Sequence, residues 1–139
     1  MSKILTIALI MLSLIVVVSC KNQDASATDQ TESRTTAVYT KISPEAAKKL
    51  MDEQPSITVV DVRTRQEYEA GHIEGAMNIP NETIGSDKVD ALPDLDATIL
   101  LYCRSGARSS QAARKLIALG YTNVLDFGGI IDWPYEVVK

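Results

Sequence analysis

One short run of residues most constrains how this chain can fold. Residues 57–62 read Ile-Thr-Val-Val-Asp-Val, a β-branched and almost continuously apolar stretch. A strand with this pattern is buried on both faces, as strands are in a parallel sheet that is covered by helices. Further short strands are predicted at residues 76–79, 98–102 and 123–125. We expect the strand at residues 98–102 to be central.

Helices are predicted between these strands. Ser43, Pro44 and Glu45 form a favourable helix start, with a hydroxyl N-cap, a proline in the first turn and an acidic residue near the positive end. A single turn at residues 66–70 and a longer helix at residues 109–119 are each followed by a glycine. This alternation predicts an α/β domain with a mainly parallel central sheet flanked by helices.

The composition fits one ordinary domain and excludes several other classes. The 139 residues are 45% hydrophobic and 23% charged, which is a globular mixture. The net charge of −4 argues against a nucleic-acid-binding surface. Two cysteines are too few for a disulfide scaffold, and one histidine is too few for a His-rich metal site. The sequence implies no metal and no organic cofactor. We also expect the protein to be a monomer.

The first residues are predicted to form a targeting signal. Residues 4–18 are uncharged and largely apolar, and Lys3 precedes them. This run is shorter than the roughly 20 residues of a spanning helix and fits a signal peptide. It ends at Ser19 and Cys20, which resembles the bacterial lipoprotein signal. The alternatives are an ordinary secretory peptide and a short uncleaved anchor.

The lipoprotein resemblance implies three segments. Residues 1–19 would be removed, and Cys20 would carry the lipid that holds the protein at a membrane. Residues 20–40 are rich in Thr, Ser, Asp and Gln and predict a flexible tether. Residues 41–139 would form the folded domain. The expected location is the bacterial cell envelope, on the side that faces the periplasm or the exterior.

A cysteine directly follows the predicted central strand. Cys103 precedes a short loop with Gly106 and then the longer helix. In open α/β sheets ligands bind beyond the carboxyl ends of strands, where loop amides and a helix N-terminus attract anions. Arg104 and Arg108 add positive charge. These features favour a thiolate, so Cys103 is predicted to be a nucleophile for an anionic electrophile.

Other interpretations of Cys103 explain less. A small buried hydrophobe at a strand end would not account for two nearby arginines. A cysteine protease needs a histidine base, and the single histidine, His72, is distant in sequence. A thioredoxin-type site needs Cys-x-x-Cys, which is absent from the sequence. Cysteine phosphatases typically have five residues between cysteine and arginine, whereas four separate Cys103 from Arg108.

Three blocks of sequence resemble the single-domain rhodaneses, which are sulfurtransferases. The first block is Asp-Val-Arg at residues 61–63 with Glu67 and Tyr68, and it continues through residues 71–80. The second is Tyr-Cys-Arg-Ser-Gly-Ala-Arg-Ser at residues 102–109, and the third is Gly-Gly-Ile at residues 128–130 with Trp133. The blocks occur in the order found in the family, and together they cover most of the predicted domain.

The resemblance implies a three-layer rhodanese-like fold and a role for each matching residue. Cys103 would take sulfur from a small anionic donor such as thiosulfate, hold it as a persulfide and pass it to a thiophilic acceptor. A protein is one candidate acceptor. The loop that binds the persulfide and the donor would consist of Arg104, Ser105, Gly106, Ala107 and Arg108. The charged residues that would support the site are Asp61, Arg63 and Glu67.

The sequence leaves one alternative function open. The alternative function is a sulfur carrier or interaction module of the envelope, with little turnover of thiosulfate. His72 is interpreted as a structural histidine, Tyr102 as a packing residue and Trp133 as an aromatic residue at the edge of the core.

Overall fold

A five-stranded sheet forms the centre of the protein. The computed structural model describes residues 38–139. The strands are β1 (Val38–Lys41), β2 (Thr58–Asp61), β3 (Met77–Asn78), β4 (Ile99–Cys103) and β5 (Asn123–Gly129). The helices are α1 (Pro44–Glu53), α2 (Arg65–Ala70) and α3 (Ala107–Ala118), with 3₁₀ turns at Asn81–Thr83 and Ile130–Asp132.

The sheet is parallel throughout, and its strand order is β1-β5-β4-β2-β3. All five residues of β4 are buried, as is typical of the middle strand of a covered parallel sheet. The prediction of a parallel α/β sheet with β4 at its centre is therefore confirmed. The carboxyl ends of the strands meet at one edge, and Cys103 is the last residue of the central strand.

Helices cover both faces of the sheet and give three layers. On one face, α3 packs its small and apolar side chains against alternate residues of β2, β4 and β5; this core includes Val60, Leu101, Ala112, Leu116 and Val124. On the other face, α1 and α2 pack against the remaining residues of the same strands, including Val59, Leu100 and Phe127. Because successive side chains of a strand point to opposite faces, the same strands contribute to two hydrophobic cores, one on each side of the sheet.

The start of α1 follows the predicted capping pattern. Ser43 is the N-cap, and its hydroxyl accepts a hydrogen bond of 3.2 Å from the Ala46 N–H. Pro44 is the first helical residue, where its missing N–H leaves no helical hydrogen bond unmade. This start orients α1 so that Ala47 is fully buried against the sheet.

The domain begins earlier than the sequence predicted. Strand β1 pairs with β5, with Tyr39 opposite Val124, so residues 38–40 belong to the sheet rather than to the tether. The predicted boundary at residue 41 is therefore corrected: residues 38–40 belong to the folded domain. The predicted signal peptide, Cys20 and the rest of the tether lie outside the described residues. In the part of the chain from residue 38 onward, no helix is long and apolar enough to cross a membrane.

Candidate active site

Cys103 ends the central strand with its side chain on the α3 face of the sheet. The residue is 1% exposed and is a free cysteine. Its partner in the register of β5 is Gly129, and the pairing is irregular between Leu101 and Cys103. The extra residue of this irregular pairing belongs to β5. After Cys103 the chain continues through a loop of three residues, and α3 then begins at Ala107.

The loop directs a backbone N–H at the sulfur of Cys103. The Gly106 N–H donates a hydrogen bond to Cys103 Sγ at 3.1 Å. Gly106 is the N-cap of α3 and has φ 94° and ψ −13°, a left-handed conformation that glycine adopts without strain. Because glycine has no side chain, the N-cap residue provides no side-chain acceptor for the first N–H groups of α3. The sulfur thus lies at the positive end of α3.

Hydrogen bonding stabilises the charged form of the Cys103 thiol. Burial alone raises the pKa of Cys103, but hydrogen bonds from Ser109, with those from the amides of Ser105 and Gly106, outweigh it. The net pKa of Cys103 is therefore lowered. A lowered thiol pKa is the condition for a nucleophilic cysteine at neutral pH.

Ser109 belongs to the site although sequence reasoning did not include it. Its hydroxyl donates to the Gly106 carbonyl at 3.1 Å, within the first turn of α3. The residue is fully buried. Its position in the first turn of the predicted helix could have indicated this contact, because a serine there commonly forms hydrogen bonds to nearby backbone groups.

The two arginines of the loop have different partners. Arg108 donates two hydrogen bonds to the carboxylate of Glu67, at 2.7 and 2.8 Å. Arg104 is exposed and lines a depression of about 240 Å³ together with Arg63, Glu67, Ala70, Ile130 and Ile131. The sequence predicted both arginines to bind the donor. In the structure the charge of Arg108 is balanced by Glu67.

The comparisons with known proteins agree with this geometry. Residues 43–134 match the family described as the Rhodanese-like domain. This chain belongs to the rhodanese-like family. The match extends from the N-cap of α1 to just beyond the last 3₁₀ turn, so it includes strands β2 to β5 and the Cys103 loop, whereas β1 precedes it.

Individual relatives support the same assignment. The chain is 38% identical to thiosulfate sulfurtransferase PspE of Escherichia coli over 80 residues, which cover 58% of this chain and 77% of PspE. It is 40% identical to thiosulfate sulfurtransferase GlpE of Pseudomonas entomophila over 91 residues, or 66% of this chain and 80% of GlpE. The protein is thus a rhodanese-type sulfurtransferase, which acts on a sulfur donor and a sulfur acceptor.

A solved structure has the same fold. The structure described as rhodanese with anions from E. coli matches with a TM-score of 0.55 and 36% sequence identity. The match covers 60% of this chain and 99% of that one. The predicted three-layer rhodanese fold is confirmed.

In this rhodanese domain, Glu67 connects helix α2 to the active-site helix. Glu67 forms a capping box with Thr64, in which each side chain accepts a hydrogen bond from the other residue's N–H. The carboxylate also holds Arg108, and this contact with Arg108 is the main reason that the pKa of Glu67 falls from 4.5 to about 2. Glu67 thus fixes α2 against the first turn of α3.

Asp61 and Arg63 form a buried ion pair at the end of β2. The Arg63 Nε lies 3.0 Å from both carboxylate oxygens of Asp61. Arg63 also donates to the Gly71 carbonyl at 2.7 Å, which holds the loop after α2. Burial lowers the pKa of Arg63, but the bonds and charge of Asp61 outweigh it and leave the pKa raised. The role of this pair in supporting the site stays a prediction.

The aromatic and histidine residues have structural surroundings. His72 Nδ1 lies 3.0 Å from the Tyr68 carbonyl, and the two rings stack at 3.8 Å. The hydroxyl of buried Tyr102 accepts a hydrogen bond from the Ile73 N–H. Trp133 is buried against Phe127, with ring centres 5.5 Å apart. These contacts agree with the interpretation of all three as structural residues.

The backbone of β5 forms the wall behind the Cys103 loop. A β-carbon placed on Gly129 would lie 2.7 Å from Ser105 Cα and closer still to the Arg104 carbonyl. One placed on Gly106 would lie 3.5 Å from Gly128 Cα. The loop therefore packs directly on the Gly128–Gly129 segment. Across residues 38–139, no group of His, Cys, Asp and Glu side chains is arranged to hold a metal ion.

Proposed function

We propose that the protein transfers sulfane sulfur from a small anionic donor such as thiosulfate to a thiophilic acceptor through a persulfide on Cys103. The observation that carries this proposal is the 3.1 Å hydrogen bond from the Gly106 N–H to Cys103 Sγ. A preorganised N–H at the start of a helix stabilises negative charge on a thiolate, and it would do the same for a persulfide. Relatives named thiosulfate sulfurtransferase and a related structure that contains anions support a donor of this class.

The two steps balance without an external oxidant or reductant. The Cys103 thiolate attacks the outer sulfur of thiosulfate, the S–S bond of thiosulfate breaks, and sulfite leaves with the electron pair. The acceptor, cyanide in an assay, then attacks the outer sulfur of the persulfide. The S–S bond to Cys103 breaks, its electron pair restores the thiolate, and thiocyanate leaves. This is covalent catalysis by a single nucleophile in two half-reactions.

The surroundings of Cys103 favour a small and negatively charged donor. The residue is 1% exposed, so a bulky group has little access to its sulfur. Arg104 lies next to Cys103 in the chain and lines the neighbouring depression, where its guanidinium attracts an anion. Ile131 is exposed on the rim of the same depression, where its side chain would contact an acceptor that has an apolar surface.

Intact-protein mass spectrometry of the full chain tests the covalent step. After incubation with thiosulfate we expect a gain of one sulfur atom, located by peptide mapping on Cys103 and removed by cyanide. The variant Cys103→Ser is expected to gain no sulfur there. If Cys103 reacts with iodoacetamide but gains no sulfur from thiosulfate, the proposed donor is wrong, and the carrier function becomes the better explanation.

We also propose that the protein is attached to a membrane of the bacterial envelope through lipid on Cys20. The support is the signal-like run of residues 4–18 and the polar sequence between Cys20 and strand β1, which would separate the lipid from the domain. Cell fractionation tests this proposal. We expect Cys20→Ala to release the protein from the membrane fraction, and a variant that stays there would contradict it.

A further inference from the structure

A buried polar cluster lies directly behind the wall of the active-site loop. Asp126 is 1% exposed, although it is a carboxylic acid in the middle of β5, between β1 and β4. Its Oδ1 accepts a hydrogen bond of 2.9 Å from the Gly128 N–H. Its Oδ2 accepts one of 2.9 Å from the Ser110 hydroxyl. The Tyr39 hydroxyl lies 2.9 Å from both Asp126 Oδ2 and Ser110 Oγ.

This cluster joins three separate elements at one carboxyl group. Tyr39 comes from β1, Ser110 from the first turns of α3, and Asp126 from β5. Burying a carboxylic acid is costly unless hydrogen bonds replace the lost water, and here donors from all three elements do so. The buried carboxyl group of Asp126 is therefore fully hydrogen-bonded, although apolar side chains fill most of the surrounding core.

The cluster reaches Cys103 through a short series of contacts. Asp126 holds the Gly128 N–H, and Gly128 packs against Gly106. Gly106 in turn donates its N–H to Cys103 Sγ. Ser110, which anchors Asp126 to α3, lies next to Ser109 in the first turns of the helix. A shift of Gly128 is expected to change the position of the N–H that stabilises the sulfur.

We propose that Asp126, held by Tyr39 and Ser110, is a positioning residue that keeps the Gly128–Gly129 wall in place and thereby fixes the Gly106 N–H on the sulfur of Cys103. The inference rests on the proposed role of Cys103 as the sulfur-carrying nucleophile. It adds that the first strand of the domain takes part in setting the reactivity of the active-site thiol.

Three variants and one matched control test this role. Asp126→Asn keeps the shape but replaces the carboxylate oxygen that accepts from the hydroxyls of Tyr39 and Ser110 with an NH2 donor, so these hydroxyls have to accept instead of donate. Tyr39→Phe and Ser110→Ala each remove one hydroxyl from the cluster. The control is Tyr121→Phe, because Tyr121 is fully buried and its hydroxyl donates to the Leu92 carbonyl at 2.8 Å, outside the cluster.

The readout is the pH dependence of Cys103 alkylation by iodoacetamide, measured on the full chain at the peptide that contains Cys103. We expect Asp126→Asn to move the midpoint upward by about one pH unit, because the thiolate loses part of its hydrogen bonding. Tyr39→Phe should shift the midpoint in the same direction by less. Tyr121→Phe should lose stability but leave the midpoint unchanged. Sulfur transfer by Asp126→Asn should fall about tenfold or more through kcat, with little change in KM.

The possible outcomes separate this inference from the proposed function. Unchanged midpoints in all three cluster variants would overturn the positioning role, as would equal shifts in the cluster variants and in Tyr121→Phe. If Asp126→Asn does not fold, Tyr39→Phe and Ser110→Ala decide the question. Because alkylation requires no sulfur donor, a shifted midpoint supports the positioning role even if thiosulfate leaves no sulfur on Cys103.

Discussion

The contact between Gly129 and the active-site loop makes Gly129→Ala a severe test of the site geometry. The added β-carbon would lie 2.7 Å from Ser105 Cα and closer still to the Arg104 carbonyl. Carbon atoms that are not bonded to each other rest about 3.5 Å apart, so the loop has to move by about 1 Å. Both contacts are with backbone atoms, and rotation of a side chain cannot relieve them. Gly129 has φ −113°, so the substitution adds no backbone strain of its own.

A displacement of this size acts mainly on catalysis. Overpacking of a tightly packed site lowers the free energy of unfolding by about 1–3 kcal/mol, and we expect the effect of Gly129→Ala to lie in that range. A misplacement of about 1 Å in a reacting group can cost a factor of about 100 in rate. We therefore expect sulfur transfer from thiosulfate to cyanide to fall about a hundredfold while the domain stays folded.

Steady-state thiocyanate formation and urea denaturation measure the two effects separately. The matched control is Gly85→Ala, because a β-carbon on exposed Gly85 has no atom within 4 Å. The control should leave both activity and stability nearly unchanged. If Gly129→Ala retains full activity, the wall of β5 does not constrain the loop, and the positioning role of Asp126 loses its physical basis.

Three further predictions concern the charged groups of the site. Glu67→Gln weakens the contact with Arg108 and should cost about 1 kcal/mol near neutral pH, measured by urea denaturation. Because the pKa of Glu67 is lowered to about 2, this contribution is present above pH 4.5 and should disappear as the pH falls toward 2, where the variant and the wild type converge. Arg104→Ala should raise KM for thiosulfate about tenfold with little change in kcat, whereas Arg65→Ala, which removes an exposed arginine paired with Glu69, should change neither. Alkylation of Cys103 in the wild type should have its midpoint below the value of about 8.5 for a free cysteine, and a midpoint at or above that value would refute the lowered thiol pKa.

The sequence predicted the parts of the site that are formed by residues close together in the chain. The apolar run before Cys103, the glycine after it and the helix that follows form one continuous segment, and their pattern indicates strand, loop and helix directly. The cap at Ser43 is equally local. In such segments the burial pattern and the turn chemistry favour the same structure, so the prediction needs no knowledge of the rest of the fold.

Contacts between distant segments escaped prediction. Strand β1 has no apolar alternation of its own and becomes a strand because it pairs with β5 at the edge of the sheet. The pair of Glu67 and Arg108 joins residues 41 positions apart. The hydrogen bond between Tyr39 and Asp126 joins residues 87 positions apart. A polar residue in such a contact has the same sequence signal as one on a solvated surface.

For the proposed anionic donor, the charges around Cys103 leave Arg104 to attract the anion and the backbone to stabilise negative charge at the sulfur. Arg63 is paired with Asp61, and Arg108 is paired with Glu67. Among residues 38–139, Arg104 forms no ion pair. One exposed guanidinium is screened by salt, whereas loop amides and a helix N-terminus close to a buried sulfur are screened less. Salt should therefore weaken the encounter with the donor more than it affects the reactivity of the thiol once the donor is bound.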